Sequence, residues 1–278
     1  MFEGHPLFEA AAGSVPGRAH VIAGRPSQDA FVLRADPASI VAVVADGCGG
    51  AERSEIGAWI GAHALAAEVG RAIGGELDDA AFWEGVQSSV LATLRSTAAA
   101  MGGDLREIVR QFFLFTVVGA VVAGDRAAVF SMGDGVVALN GEVSCLGPFP
   151  GNAPPYLGHA LLGEGQGAGA RLVVHRTLPA REVESIVVAT DGAAEWGDVQ
   201  RSHLPGTHEP VGPLAQLWED DRFFDHPDAL RRKLARMNRV FVRPVWDDRR
   251  MEREPGLLED DTTIVVLRRR KGAARAAA

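Results

Sequence analysis

Three apolar runs of this sequence end in the same dipeptide: Asp46-Gly47 after "IVAVVA", Asp134-Gly135 after "AAVFSMG" and Asp191-Gly192 after "SIVVAT". A fourth run, "TTIVVLRR", is preceded by Asp260-Asp261. One Asp-Gly pair is most simply a tight turn. A hairpin turn needs a returning strand, and only Asp134-Gly135 has one, in "VVALNGEV". Asp46 is followed instead by "GCGGAERSEIGAWIG" and Asp191 by "GAAEWGD". Carboxylates at the ends of buried strands cost little only when solvated, protonated or neutralised by a cation. Several of them meeting at one point repel each other, and a divalent ion removes that repulsion. Oxygen donors without a His or Cys pairing favour hard ions, Mg²⁺ or Mn²⁺, over Zn²⁺. Glycine beside such a ligand lets a main-chain carbonyl come close. These residues suggest an Asp-rich site with room for two metals, which suits a nucleophilic water and phosphoryl chemistry.

The elements that must carry these residues follow from periodicity. "AHVIAG" (19–24), "DAFVLRA" (29–35) and "SIVAVVAD" (39–46) read as strands, the last apolar enough to be buried on both faces. From Ser54 the period becomes helical, with Ile56, Trp59, Ile60, His63, Ala64 and Ala67 marking an amphipathic helix over 54–72. His63 is read as a packed or half-exposed helix residue without a functional role. A second helix fits 79–101, with Phe82, Val86, Val90 and Leu94 facing inward. Strands follow in "FFLFTVVGAVVAG", "AAVFSMGD", "VVALNGEVSCL", "RLVVHRTL" and "SIVVATDG", with Asn140-Gly141 a type I′ hairpin signal. Residues 147–170, rich in Gly and Pro, read as a mobile loop, and 193–224 as an irregular insertion whose "QLWEDDRFF" caps a core. "DHPDALRRKLARMNR" reads as a helix and "DDTTIVVLRR" as a closing strand. Strict βαβ alternation is missing, which favours an α+β domain with mainly antiparallel sheets.

Composition narrows the function classes. The chain has 278 residues and a formal net charge of −8, and its one basic run is "RRRK" at 268–271. No nucleic-acid partner is expected; the run reads as part of a solvated tail. Cys48 and Cys145 are the only cysteines and form no CxxC, which suits a reducing compartment. No stretch reaches the ~18 apolar residues of a membrane span, and the N-terminus lacks a signal-peptide pattern. A cytoplasmic protein without a membrane partner is expected. Walker A, HExxH and GxSxG motifs are absent.

"SQDAF" (27–31), "VVADGCGG" (43–50), "SEIGA" (54–58), "FSMGDGVVAL" (130–139), "VVATDGAAE" (187–195) and "EDDTTIVVL" (259–267) occur in that order. Together they resemble the PPM-type, or type-2C, metal-dependent Ser/Thr protein phosphatases, in a bacterial branch with a "QDA" opening and GDG. The resemblance implies a four-layer α-β-β-α sandwich over residues 19–268. Residues 1–18 would be an N-terminal segment and 269–278 a basic, disordered tail. It also implies two Mn²⁺ or Mg²⁺ ions: Asp46 bridging both, the Gly47 carbonyl binding one, Asp191 and Asp260 completing the other's shell. Asp29 would be a direct or supporting partner, and Asp134 and Glu195 would lie where some members bind a third, weaker ion. Arg25 would clamp phosphate. The implied reaction is hydrolysis of phosphoserine or phosphothreonine in a phosphoprotein, the target of a Ser/Thr kinase, by a metal-activated water without a phosphoenzyme. Gln28 stands where glutamate is frequent, and Cys48 replaces a histidine proposed as general acid in animal members. These departures leave two alternatives open: a pseudophosphatase acting as a binding or regulatory module, and a hydrolase of small phosphoesters.

Overall fold

The computed structural model describes residues 4–163 and 170–272. Strand β1 (Phe8–Val15) and a short helix α1 (Arg18–Ala23) lead into β2 (Asp29–Ala35) and β3 (Ser39–Gly47). Three helices come next: α2 (Ser54–Ala72), α3 (Ala80–Met101) and α4 (Leu105–Phe112). The strands β4 (Phe115–Ala123), β5 (Arg126–Met132), β6 (Gly135–Leu139), β7 (Glu142–Leu146), β8 (Val173–Pro179) and β9 (Ser185–Ala189) follow. Short helices α5 (Trp196–Val199) and α6 (Gln216–Glu219) precede α7 (Ala229–Met237). A hairpin, β10 (Phe241–Val245) and β11 (Arg250–Glu254), and the strand β12 (Thr262–Arg269) complete the fold.

The strands form two antiparallel five-stranded sheets, β2-β3-β4-β5-β8 and β1-β12-β9-β6-β7, with the β10-β11 ribbon apart. Side-chain alternation in the central strands builds three cores. In β3, Val41, Val43 and Ala45 face helices α2 to α4, where Leu65, Val86, Leu94 and Phe113 meet them. Ile40, Ala42 and Val44 face the other way and pack between the sheets with Val118, Ile186 and Val265. On the far side, Val136, Val187 and Ile264 pack on Trp196, Leu217, Leu230 and Leu234. A strand buried on both faces has no polar alternation, which is why "SIVAVVA" is continuously apolar. The architecture is the expected α-β-β-α sandwich.

Several local expectations need correction. Residues 19–24 form a helix, not a strand: backbone bonds from Arg18 and Ala19 to Leu258 and Glu259, and a left-handed Gly24 (φ 64°), shape the turn despite the β-branched Val21 and Ile22. Residues 8–15 are not outside the domain, since β1 pairs along its whole length with β12. Arg268 and Arg269 are no tail either: both are buried within β12, Arg268 paired with Glu9 and Asp221, Arg269 bonded to the Val183 and Ala180 carbonyls. Residues 273–278 lie outside the described residues. The 54–72 helix buries a different face from the one bulk predicts. Gly57, Ala58, Gly61, Ala62 and Leu65 face the sheet, while Ile56 and Trp59 are 40% and 57% exposed. Backbone approach decides this, since a Cβ on Gly57 would stand 1.8 Å from the Phe112 carbonyl oxygen. The 147–170 loop is anchored by buried Leu157, Leu161 and Ala170, and 164–169 lie outside the described residues. The 193–224 stretch is irregular as expected, with Leu217 and Phe223 buried. Among the described residues, no helix is long and apolar enough to cross a membrane.

Candidate active site

The alternation that fills the space between the sheets also determines what stands at its end. Continuing the inward face of β3 past Val44 gives Asp46, and Asp29 of β2 and Thr116 of β4 are its direct cross-strand partners. Continuing β9 past Val188 gives Thr190, just before Asp191. Thr190 Oγ1 donates to Asp29 Oδ2 at 2.8 Å, so one hydrogen bond ties the ends of the two sheets together. Strand β12 starts at this same end, beside Asp260 and Asp261. Asp134 arrives by a route the sequence hid: β5 and β6 belong to different sheets. Gly133-Asp134-Gly135 is therefore a crossing between sheets, not a hairpin turn. Gly135 takes φ 145° there, with no room for a Cβ beside Val118 and the Ala189 carbonyl.

A cleft of about 290 Å³ opens at this end, walled by Asp46, Asp134, Asp191 and Asp260, with Gly47, Cys48 and Tyr156 at its sides. Asp29 lies beneath it. Asp46 opens to the cleft and Asp29 is only partly exposed; both carboxyl groups are otherwise enclosed by protein, and that depth dominates their chemistry. Burial pushes the Asp29 carboxyl up to about 8, against the Thr190 hydrogen bond and with the help of Asp261 and Asp191. Asp46 is held well above the usual carboxylate range, first by burial and then by Asp29, Asp191, Asp260 and Asp134. Burial, Asp260 and Asp134 push Asp191 up to about 6. Burial also raises Asp134, with Asp260 adding to it.

Other residues hold the acids in place, and sequence reasoning missed most of them. Buried Asp261 accepts from the Gly17 and Gln28 backbone N–H groups at 2.6 and 2.5 Å, and His20 Nδ1 lies 2.8 Å from its Oδ2. It thereby anchors α1 and the start of β2 to the β12 end. Gly47 has no space for a side chain, since a Cβ would stand 2.7 Å from Ser54 Oγ and 2.8 Å from the Gln28 carbonyl. Gln28 Nε2 donates to Ser54 Oγ at 2.5 Å, and Ser54 Oγ donates to the Cys48 carbonyl at 3.0 Å. Cys48 is partly exposed in the cleft wall. Tyr156, the only tyrosine of the chain, reaches in from the 147–163 loop to the cleft wall beside Cys48; burial, then the neighbouring Cys48, pushes its phenol up. A lone tyrosine in a Gly/Pro-rich loop carries no sequence signal that would reveal this.

Two expected residues stand outside the cleft wall. Glu195 accepts from the Glu259 and Asp260 backbone N–H groups at 2.6 and 3.3 Å, so it holds the loop that carries Asp260. Burial raises its carboxyl and these bonds oppose the rise. Exposed Arg25 donates to the Gly49 and Ala51 carbonyls, both at 3.3 Å, beside the glycines of the cleft.

The donors suit a hard divalent cation in kind. Asp29 Oδ1, Asp191 Oδ1 and Gln28 Oε1 are buried oxygens without a hydrogen-bond partner, and each is an acceptor lacking a positive neighbour. Among the described residues, no three His, Cys, Asp or Glu side chains close into a coordination shell. The cleft is thus a cluster of mutually repelling acids whose free oxygens are not drawn together around a common point. Such a cluster is relieved by protonation or by cations.

Comparisons with known proteins agree with this architecture. The family profile described as "Protein phosphatase 2C" matches residues 16–237. The serine/threonine phosphatase Stp1 from Staphylococcus aureus superposes with a TM-score of 0.51 at 13% identity, over 96% of this chain and 97% of that one. The serine-threonine phosphatase 2C from Toxoplasma gondii gives 0.52 at 13% identity, over 96% of each chain. At such identities the superpositions speak for the fold alone. Among curated proteins, none matches the sequence. With the profile spanning most of the sandwich and every cleft acid except Asp260 and Asp261, the chain belongs to the protein phosphatase 2C family of Ser/Thr phosphatases.

Proposed function

We propose that this cleft hydrolyses phosphoserine and phosphothreonine side chains of phosphoproteins with Mn²⁺ or Mg²⁺ as cofactor. Asp46, the Gly47 carbonyl, Asp191 and Asp260 would hold the ions, with Asp29 and Asp134 as further oxygen donors. When bound, such ions supply an activated water and offset the charge of the phosphoryl oxygens. The chain's own residues prepare the place. Asp29 and Thr190 link the two sheet ends, so that Asp46 of one sheet and Asp191 of the other line the same cleft. Asp261 and Glu195 fix the backbone on both sides of Asp260. Tyr156 and Pro154 line the cleft from the 147–163 loop. Arg25, whose guanidinium bonds the Gly49 and Ala51 carbonyls of the glycine turn, would meet the phosphoryl group from the outside.

The observation that carries this reading is the pair of buried, partnerless carboxylate oxygens on Asp29 and Asp191, one from each sheet. A cluster kept for structure alone would have its acceptors bonded. The test is phosphate release from a phosphothreonine peptide and from p-nitrophenyl phosphate, with Mn²⁺, with Mg²⁺ and with excess chelator. Turnover of both substrates with a metal and loss of turnover in chelator is the expected result. Undiminished turnover in chelator would refute the metal role, and turnover of the small ester alone would refute the phosphoprotein substrate.

A further inference from the structure

The β10-β11 ribbon and helix α1 present a surface that the catalytic reading does not use. Cross-strand register sorts the ribbon into two faces. One carries the Arg243–Glu252 ion pair and the Val245–Arg250 pair. The other carries Val242 opposite Arg253 and Pro244 opposite Met251, with Trp246 next in line. On this second face Val242 is 47%, Met251 63% and Trp246 82% exposed. Its base opens onto a pocket of about 270 Å³ between Val240 and Arg253 on one side and Val21 and Ile22 of α1 on the other. Ile22 is 70% exposed. Single exposed apolar side chains are ordinary, but a row continuing across two elements marks an interaction surface.

Helix α1 is also a wall of the catalytic cleft. His20 lines the cleft against Asp261, and the Ala19 N–H donates to the Glu259 carbonyl, next to Asp260. Pocket and cleft therefore lie on either side of one short helix. The pocket wall carries Arg18 and Arg253 and no acid, whereas the whole chain carries a net −8. Along the ribbon and at the pocket Arg239, Arg249 and Arg253 are exposed and make no ion pair among the described residues; of the ribbon acids, Glu252 and Asp248 are paired with Arg243 and Arg250, which leaves Asp247 and Glu254 against these three cations. A second copy of the chain is a poor occupant, because a two-fold contact would bring these arginines against themselves. An acidic partner with an apolar anchor satisfies both the row and the charges.

We propose that the Val21–Ile22 pocket and the Val242–Met251–Trp246 face dock an extended segment of the phosphoprotein substrate that carries a large apolar side chain flanked by acidic residues. This rests on the phosphatase reading, so the test uses substrates that separate docking from chemistry. Phosphothreonine peptides of equal length would carry a Phe-Glu-Glu block N-terminal or C-terminal to the phosphoresidue, or a Ser-Lys-Lys block in its place. One acidic-apolar peptide should show a KM lower by about tenfold than its Ser-Lys-Lys counterpart, the scale of one buried anchor. Trp246→Ala and Ile22→Ser should remove most of that advantage, and Arg253→Glu should remove the share due to acid. In all three variants kcat and the turnover of p-nitrophenyl phosphate should stay as in the wild type. Circular dichroism of each variant excludes misfolding, and titration of the unphosphorylated Phe-Glu-Glu peptide should shift Trp246 emission to the blue. Equal KM values for all peptides, or an advantage that survives in the variants, would overturn the proposal. So would a Trp246-dependent dimer in sedimentation, which would make the surface a self-contact. Loss of p-nitrophenyl phosphate turnover in the wild type would instead refute the phosphatase reading.

Discussion

At the scale of single residues, the decisive fact is that Asp46 is not alone on its face of β3. Its cross-strand neighbour is Asp29, and both carboxyl groups are held above the usual range, first by burial, then Asp46 by Asp29 and Asp29 by Asp261 and Asp191. Gln28 shows how the site is balanced. Its Nε2 is committed to Ser54 Oγ, which leaves Oε1 as a neutral oxygen at the cleft. Gln28→Glu would replace that donor with a further buried acid beside Asp29 and Asp46 and remove the bond from Nε2 to Ser54. The expected result is a chelator-treated protein less stable by about 1–3 kcal/mol, together with tighter Mn²⁺ binding. Thermal melts with and without Mn²⁺ would read both effects, and a variant of unchanged stability in chelator would show the Ser54 bond to be unimportant. Asp46 and its glycines were legible in the sequence because an abrupt carboxylate after a doubly apolar strand has few bland explanations. Asp261 and Tyr156 were not, since their roles come from partners 244 and 108 positions away, at Gly17 and Cys48.

At the scale of elements, small residues decide where the helices sit. Gly57 and Gly61 let α2 lie against the first sheet, with Phe112 and Phe115 in contact. Ser54, at the start of α2, then reaches the Cys48 carbonyl behind the cleft. Gly57→Ala should therefore destabilise by more than about 2 kcal/mol, because a backbone carbonyl cannot yield as a side chain can. Denaturant unfolding of this variant beside a Gly85→Ala control, where a Cβ meets open space, would check it. Equal stability of the two would mean that α2 is not fixed by this contact. The helical period of 54–72 was readable, but its buried face was not, because bulk pointed to Ile56 and Trp59. The strand period of β3, β9 and β12 was readable for the converse reason: two buried faces leave an unbroken apolar run. Strand β1, "FEAAAGSV", escaped notice because small residues pair well yet carry little strand signal. Helix α1 was misread because its β-branched pair is displayed at the surface and not buried.

At the scale of the molecule, the acid cluster makes folding sensitive to pH. The folded Asp29 and Asp191 bind protons up to about 8 and 6, whereas an unfolded aspartate has released its proton above its ordinary value of 3.8. Between these limits the folded state holds more protons than the unfolded state, so stability must fall as pH rises. In chelator, the melting temperature should drop between pH 5 and pH 8 by about 5 °C or more. Saturating Mn²⁺ should shrink that drop, since bound cations replace the protons. A melting temperature that rises with pH in chelator would contradict the assigned direction.

The most direct measurement of the central claim is Mn²⁺ binding and phosphothreonine-peptide turnover by the same preparations of wild type, Asp46→Asn and Asp191→Asn. Two ions per wild-type chain are predicted, with turnover that follows their occupancy. Each variant should bind fewer ions and lose about a hundredfold or more in turnover, while melting no lower than wild type in chelator because one buried ionisable acid has been replaced by a neutral amide. Wild-type turnover in either folded variant, or full turnover in a wild-type chain free of metal, would contradict it.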